Sequence, residues 1–359
     1  MAKLGLLEVP DTYDTFRSSQ LQTYQVCPRQ YLYEHLLRWE EDRADRSALH
    51  LSFGSAHHVA QETLLLMGYT PEAVAQAYIN FENEWLRSGY GVTDLLTVDK
   101  DFSKIIINVC KSIDSGAVDI NHTLDTLVPV MFDFPKKPEA KSTHSELAAL
   151  LRQYAARPFN IKDSKVLYTE IGFVVPIAMK YILRGRIDAI LETPRGIVVI
   201  DHKTTGRAMS SYIDQWNVKF QAGAYTHFAC AEFGIENVNS FRIWATIFKK
   251  GATIEFTEIP VYRNKELLET WHWEAQCLIA DLVRDFDRLS HVKEDDIVMK
   301  AFPRCGEACS NYYGCPFIAF CSTLANPTRV MDAPPIGFRL RKAEEDEFRP
   351  VKKEMSANG

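Results

Sequence analysis

The sequence predicts an α/β protein with a helical N-terminal part, a β-rich middle and a cysteine-rich end. Up to about residue 112, apolar side chains recur at helical spacing. Residues 166–262 contain apolar runs of strand length around one long helical segment. The cysteine-rich segment ACSNYYGCPFIAFC follows. These three observations divide the chain into a helical zone, a β-rich zone and a cysteine-rich zone.

The N-terminal zone, residues 1–112, is predicted to form a helical lobe. Its first helix begins at Ser18 or Ser19, which are suitable capping residues. A second helix is expected from about Gly54, and a third after Pro71. The lobe is therefore predicted to consist of several short amphipathic helices.

The remaining chain divides into four predicted segments. Residues 113–143 lose helical periodicity and contain prolines and lysines, which indicates an inserted loop or lobe boundary. Residues 144–295 open with a helix, become β-rich and close with a helix at about 264–290. Residues 296–327 carry the cysteine-rich segment, and the charged residues 328–359 predict a disordered tail.

Composition and charge set limits on the class of protein. A chain of 359 residues, 46% of them apolar, can bury one large core or two modest ones. It has no apolar run long enough to cross a bilayer and no signal-peptide pattern, so we expect a soluble, cytoplasmic protein in a bacterial or phage-infected cell. The net charge of −6 argues mildly against a polyanionic partner, although a local basic groove is compatible with a negative total.

The densest group of ionisable residues lies in a predicted β-hairpin made of the segments YILRGRIDAILET and GIVVIDHKTT. Strand alternation places Asp201 and Lys203 on one face and His202 on the other, and Asp188 of the first strand can come alongside. Two carboxylates and an ammonium are costly to bury without partners. A divalent cation bound by the carboxylates, with the lysine orienting a water, would satisfy them. A structural salt bridge at the strand end is the alternative.

Four cysteines at opposite ends of the chain indicate a metal centre. Cys27 stands alone near the start, and Cys309, Cys315 and Cys321 follow one another at intervals of six residues, with Cys305 just before them. Cysteines grouped in this way in a cytosolic chain are more often metal ligands than disulfides. Four thiolates suit either zinc or an iron–sulfur cluster, and such a site would join the two ends of the fold.

Taken together, the order of motifs resembles one known family. The order is a cysteine, Gly-x3-His, a glutamate, Gly-x2-Asp, Asp-x-Lys, Gln-x3-Tyr and three cysteines, between Ser19 and about Cys321. It resembles the PD-(D/E)XK nuclease superfamily, specifically the RecB-like group with an iron–sulfur cluster. That group includes CRISPR-adaptation, helicase–nuclease and standalone phage exonucleases. The resemblance implies a mixed central sheet flanked by helices, with a helical N-terminal lobe and a C-terminal iron–sulfur segment.

The same resemblance implies a set of metal ligands. Asp188 and Asp201 would bind Mg²⁺ or Mn²⁺, and the backbone carbonyl of His202 would be a further ligand. His58, four residues after the glycine of GSAHH, matches the metal-binding histidine of the family. His57 is the neighbouring alternative, and an ordinary helix-surface histidine is the simpler interpretation of either.

Further residues of the active site follow from the resemblance. Lys203 would position the attacking water and stabilise charge on the phosphate. Gln221 and Tyr225 would face the active site from one side of a helix, although an amphipathic helix alone explains their spacing. Glu170 matches an acidic position of the family, with a strand-end charge as the alternative. Glu62, one turn after His58, would either orient that histidine or be a solvated glutamate.

For the cysteines, the resemblance implies a structural [4Fe–4S] cluster. Its ligands would be Cys27, Cys309, Cys315 and Cys321, with Cys305 as a spare. A four-cysteine zinc site is the chemical alternative.

The function implied is a metal-dependent DNA exonuclease. It would act on single-stranded DNA or DNA ends in recombination, repair or phage DNA processing, by attack of a metal-activated water on the phosphodiester. The sequence has no Gly-x4-Gly-Lys-Ser/Thr loop, so a helicase or recombination partner would have to be another chain. A non-catalytic DNA-binding or scaffold subunit of a helicase–nuclease-type assembly is the first alternative, and an electron-transfer protein is the second.

Overall fold

The structure is a computed structural model that describes residues 4–5, 14–42, 47–90, 99–117, 138–159, 163–178, 180–206, 210–249, 254–310, 314–330 and 333–341. Within these ranges no helix is both long and apolar enough to cross a membrane. The described residues form a mixed α/β fold, with a central sheet flanked by helices and a helical lobe at one side. This is the predicted fold class.

In the described part of the chain, six helices precede the long strands of the central sheet. They are α1 (Ser18–Val26), α2 (Pro28–Tyr31, continued by a π-helical turn at Leu32–Leu36), α3 (Ser47–Met67), α4 (Pro71–Arg87), α5 (Asp99–Asp114) and α6 (Pro138–Ala156). Helices α3 to α6 pack around their own apolar core, which includes Phe81, Trp85 and Leu150. This lobe therefore has a core distinct from that of the sheet.

The beginnings of two of these helices illustrate how the sequence sets their limits. Helix α4 starts as predicted, because the Thr70 hydroxyl accepts a hydrogen bond from the Ala73 amide at 3.1 Å and Pro71 occupies the first helical position. Helix α6 begins at Pro138, six residues before the predicted start, within the predicted loop 113–143. Proline is tolerated in the first turn of a helix, so it starts this helix instead of breaking it. Residues 118–137 lie outside the described residues.

Seven strands form the central sheet. They are β1 (Leu4–Gly5), β2 (Asp14–Arg17), β4 (Lys165–Ala178), β5 (Tyr181–Thr193), β6 (Gly196–Thr205), β7 (Val238–Phe248) and β8 (Ile254–Val261), while β3 (Trp39–Glu41) belongs elsewhere. The order is β1-β4-β5-β6-β7-β8, and β2 pairs with the first part of β5. The β4–β5, β5–β6 and β7–β8 pairs are antiparallel and β6–β7 is parallel. Strands β5 and β6 have the predicted limits.

Helices on one face of the sheet cover the main core. They are α7 (Ser210–Asp214), α8 (Phe220–Phe233) and α9 (Lys265–Ser290). Helices α8 and α9 approach closely at Gly223, where a Cβ would lie 2.3 Å from the Trp271 ring. On the other face, Leu65 and Phe159 pack against Ile200 and Trp244. The middle strands are thus buried on both faces, which explains the continuous apolar run in β6.

The segment 211–234 is not the single predicted helix. Helix α7 ends at Asp214, a 3₁₀ turn occupies Gln215–Asn217, and Lys219 has extended backbone angles before α8 begins. The sequence here has a continuous helical pattern, but Trp216 is pulled into the core (3% exposed) and the chain must turn to bury it. Tertiary packing therefore overrides local helical propensity at this point.

The last described strand pairs with β3 in a second, small sheet. Strand β9 (Phe338–Leu340) pairs antiparallel with β3, and Phe338 stacks on Phe317 at 5.1 Å. Strand β9 therefore lies within residues 328–359, the segment expected from its charged composition to be a tail. Residues 342–359 lie outside the described residues.

Candidate active site

Strand register brings the two predicted aspartates together. Ala189 of β5 pairs with Ile200 of β6. Because the strands are antiparallel, the neighbouring pair is Asp188 and Asp201, and these two residues lie side by side. The His202 backbone N–H donates a hydrogen bond to Asp188 Oδ2 at 2.7 Å. The hairpin itself therefore fixes the relative position of the two carboxylates.

Lys203 and Asp201 share one face of β6, as strand alternation predicts. The Lys203 ammonium lies 2.6 Å from Asp201 Oδ2. Burial alone would lower the pKa of Lys203, but the charges of Asp201 and Asp188 outweigh it and raise that pKa. Burial raises the pKa of Asp201 to about 6, even though the Lys203 charge acts in the opposite direction. Lys203 is thus held as a charged donor beside Asp201.

The His202 side chain lies on the opposite face of the strand. Its ring is 2% exposed and lies 5.6 Å from the Trp244 ring. Burial lowers the pKa of His202 to about 3, so the imidazole is neutral at ordinary pH. The imidazole therefore packs between the sheet and the lobe. The predicted role of His202 as a metal ligand involves only its backbone carbonyl.

Helix α3 brings His58 to the site from the lobe. Its Nδ1 lies 3.3 Å from Asp188 Oδ2. Burial would lower the pKa of His58, but the charge of Asp188 and the hydrogen bond to it raise that pKa. Glu62, one turn further along α3, accepts a hydrogen bond from the Thr169 hydroxyl at 2.7 Å. In the structure Glu62 therefore contacts β4, whereas the sequence suggested that it orients His58 or is solvated.

Glu170 of β4 lies across from Asp188 on the neighbouring strand. Thr169 pairs with Ala189 and Ile171 pairs with Ile187, which places Glu170 between those pairs. Its φ of +47° is in the left-handed region, which is unusual for a residue other than glycine and is common at functional sites. The Arg186 guanidinium contacts its carboxylate, with Nε 3.1 Å from Oε2.

Three residues could hold one metal ion in the described part of the chain: His58, Glu170 and Asp188. A ligand atom from each lies within 4.8 Å of those from the other two. Asp201 is outside this group and faces Lys203 instead. Of these three, His58 and Asp188 are expected metal ligands and Glu170 is an expected acidic residue of the site; its register opposite Asp188 has no signal in the local sequence.

The electrostatics of this group fit a divalent cation. Burial, and then the negative charge of Asp188, raise the pKa of Glu170 to about 7. Burial acts in the same direction on Asp188, but the charge and hydrogen bond of His58 and the charge of Lys203 hold its pKa well below the usual range. Two carboxylates that repel each other at a buried site, with an imidazole beside them, are a donor set suited to Mg²⁺ or Mn²⁺.

A hydrogen-bond chain supports Asp201 from the other face of the sheet. The Gln221 amide nitrogen donates to Asp201 Oδ1 at 3.0 Å and lies 3.0 Å from the Tyr225 hydroxyl. The Tyr225 hydroxyl donates to the backbone oxygen of Arg186 at 2.7 Å. The predicted pair on α8 therefore connects β6 to β5, and the tyrosine is also part of the core (6% exposed).

The back of helix α3 is bound to α6. His57 Nδ1 lies 2.9 and 3.0 Å from the two carboxylate oxygens of Glu146, and both side chains are fully buried. One turn later, Gln61 and Gln153 exchange two amide hydrogen bonds of 3.0 and 2.8 Å. His57 thus faces the lobe, whereas His58 faces Asp188. Partners about ninety positions apart have no sequence signal that could have revealed them.

The four predicted cluster cysteines lie near one another. Burial raises the pKa of the Cys315 thiol, and the charges of Cys309, Cys27 and Cys321 add to this effect. The Cys315 backbone N–H donates to the Cys309 oxygen at 3.0 Å, which closes the loop between them. Cys305 contributes its backbone oxygen, which accepts a hydrogen bond from Cys309 Sγ at 3.7 Å.

Comparisons with known proteins identify the family. The profile of the PD-(D/E)XK nuclease superfamily matches residues 16–322. No curated protein shows significant sequence similarity to the chain. A crystal structure of a candidate exonuclease from Eubacterium rectale aligns with a TM-score of 0.39 and 12% identity, over 78% of this chain and 86% of that one. A likeness this weak does not bear on function, but the profile match spans the hairpin, the acidic group and the cysteines. The chain belongs to the PD-(D/E)XK nuclease superfamily.

Proposed function

We propose that this member of the superfamily is a DNA exonuclease that acts on single-stranded DNA or on DNA ends. The observation that carries the proposal is the convergence of His58, Glu170 and Asp188 beside the Asp201–Lys203 pair. A decayed, purely DNA-binding member would have no need to keep an ammonium buried against a carboxylate next to such a group. Recombination, repair and phage DNA processing are the settings in which this activity is used.

His58, Asp188 and Glu170 would hold Mg²⁺ or Mn²⁺, with Asp201 and the His202 backbone carbonyl as the further ligands expected from the resemblance. When bound, the cation supplies Lewis acidity and lowers the pKa of a water.

The chain's own residues supply the rest of the chemistry. Lys203 donates hydrogen bonds toward the attacking water and the phosphate, where negative charge develops. Asp201 holds the Lys203 ammonium in place, and Gln221 in turn fixes the Asp201 carboxylate. Because these groups are held before substrate arrives, little reorganisation is needed during reaction.

Digestion of end-labelled DNA tests this proposal. Single- and double-stranded substrates are incubated with Mn²⁺, Mg²⁺ or EDTA, using the wild type and Asp188→Ala. We expect metal-dependent release of short products from an end by the wild type only. Products that start in the interior of the strand would contradict the exonuclease assignment. Absence of cleavage under every condition would contradict the nuclease assignment itself.

We also propose that Cys27, Cys309, Cys315 and Cys321 bind a structural [4Fe–4S] cluster. The support is that Cys315 is partly buried and that the charges of Cys309, Cys27 and Cys321 all act on its thiol. Four thiolates that share one place suit an iron–sulfur cluster, with a four-cysteine zinc site as the alternative.

Elemental analysis decides between the two centres. Protein purified without oxygen is expected to contain about four iron atoms and four acid-labile sulfides per chain. One zinc ion per chain, without iron or sulfide, would contradict the cluster.

A further inference from the structure

A second lysine lies close to the catalytic lysine. Lys219 is the last residue before α8, in the extended stretch where the predicted helix is interrupted. Two residues later, Gln221 contacts Asp201. The interruption of the helix thus places Lys219 at the edge of the candidate active site.

Lys203 and Lys219 both lie against one indole ring. The two ammonium nitrogens are 5.9 Å and 4.9 Å from the Trp216 ring centre. Trp216 is itself almost fully buried, and the Arg263 guanidinium donates to the neighbouring Asn217 oxygen at 3.0 Å. Because the ring is buried, it is a fixed surface within cation–π distance of both ammonium groups.

The two lysines differ in how their charge is balanced. Lys203 has Asp201 at 2.6 Å, whereas in the described part of the chain Lys219 forms no ion pair with a carboxylate. Burial and the positive charge of Lys203 lower the pKa of Lys219, so the environment opposes its charge. The Asp201 charge acts in the opposite direction but does not outweigh these two effects. A half-buried cation beside a like charge is stabilised when an anion binds to it.

We propose that Lys219 binds a backbone phosphate of the DNA strand next to the phosphodiester held by Lys203. This inference rests on the proposed nuclease function and adds a substrate contact to the same site. Trp216 positions the ammonium through its ring face, so the lysine loses little freedom on binding. Lys219 therefore contributes to the affinity for DNA and to the position of the DNA strand in the site, whereas Lys203 contributes to cleavage of the phosphodiester.

Binding of a fluorescent single-stranded oligonucleotide, measured by polarisation in EDTA, tests the proposal without cleavage. Lys219→Gln is compared with the wild type, with Lys219→Arg and with Lys111→Gln, which removes an exposed lysine on α5 in the lobe. We expect Kd to rise by about 3- to 10-fold for Lys219→Gln, and the slope of log Kd against log salt to fall by about 0.7. Lys219→Arg should stay near the wild type, because the cation is retained, and Lys111→Gln should not differ.

Steady-state cleavage in Mn²⁺ gives a second readout. In Lys219→Gln, KM should rise by the same factor as Kd, and kcat should change by less than about twofold. The assignment of Lys219 would be overturned if Lys219→Gln lowered kcat without raising KM. It would also be overturned if Lys219→Gln had the same Kd and the same salt slope as the wild type. If the wild type neither bound nor cut DNA, the proposed function itself would fail. If the wild type cut DNA and Lys219→Gln bound DNA as tightly as the wild type, only the role proposed for Lys219 would fail.

Discussion

Replacing Gln153 by leucine should uncouple the helical lobe from the metal-binding face of α3. The substitution approximately preserves side-chain volume but removes both hydrogen bonds to Gln61 and the one to the Tyr69 hydroxyl at 3.1 Å. Gln61 is 1% exposed, so water cannot replace its lost partners. His58 lies three residues before Gln61 on the same helix, and its Nδ1 is 3.3 Å from Asp188 Oδ2.

The structure sets the size of the effect. An unsatisfied buried polar group costs about 1–3 kcal/mol, and Gln61 would keep two of them, so we expect the free energy of unfolding to fall by roughly 2–6 kcal/mol. With the back of α3 released, His58 is less well placed against Asp188. We therefore expect the Mn²⁺ concentration for half-maximal cleavage to rise by about two- to tenfold, which corresponds to about 0.4–1.4 kcal/mol.

Urea unfolding and Mn²⁺ titration measure the two effects separately. The titration follows cleavage and also the rise in Tm that Mn²⁺ produces. Tyr154→Phe is the matched control, because the adjacent residue of α6 loses a hydrogen bond of 2.5 Å to Asp114 of α5 and not to α3. The reasoning is refuted if folded Gln153→Leu protein keeps the wild-type Mn²⁺ requirement, or if Tyr154→Phe changes that requirement equally.

Three further substitutions test separate parts of the account. Tyr225→Phe leaves the Arg186 oxygen without its hydroxyl donor and removes one of the two acceptors of the Gln221 amide. We expect the free energy of unfolding in urea to fall by about 1–3 kcal/mol and cleavage to become slower, and unchanged values of both would show that these hydrogen bonds do not support Asp201. Lys203→Ala should abolish cleavage while thermal unfolding and iron content stay near those of the wild type, and full activity would exclude Lys203 from the chemistry. Cys309→Ala should lose both soluble yield and brown colour, whereas Cys305→Ala should keep them, and the reverse result would make Cys305 the ligand.

The fold was largely predictable where local pattern and tertiary structure agree. The hairpin of β5 and β6 has the limits expected from its apolar runs and the Thr193–Gly196 turn. The long helix α9 likewise matches the predicted 264–290 within one residue at its start. In both cases the periodicity of the sequence and the burial of the element point to the same structure.

Contacts between distant segments could not be predicted in this way. Glu170 joins His58 and Asp188 only because β4 pairs with β5 in one particular register. The turn before Lys219 exists because Trp216 is buried, although the local pattern is helical throughout. Side-chain partners such as Gln61 and Gln153 depend on helix packing, which a single sequence does not encode locally.

The central claim is that Asp201 and its neighbours hydrolyse DNA with a divalent metal. Its most direct test is single-turnover cleavage of end-labelled single-stranded DNA by the wild type and Asp201→Asn, in Mn²⁺ and after addition of EDTA. The account predicts cleavage by the wild type in Mn²⁺, none in EDTA, and only background cleavage by folded Asp201→Asn. Cleavage by Asp201→Asn at the wild-type rate, or wild-type cleavage that persists in EDTA, would contradict it.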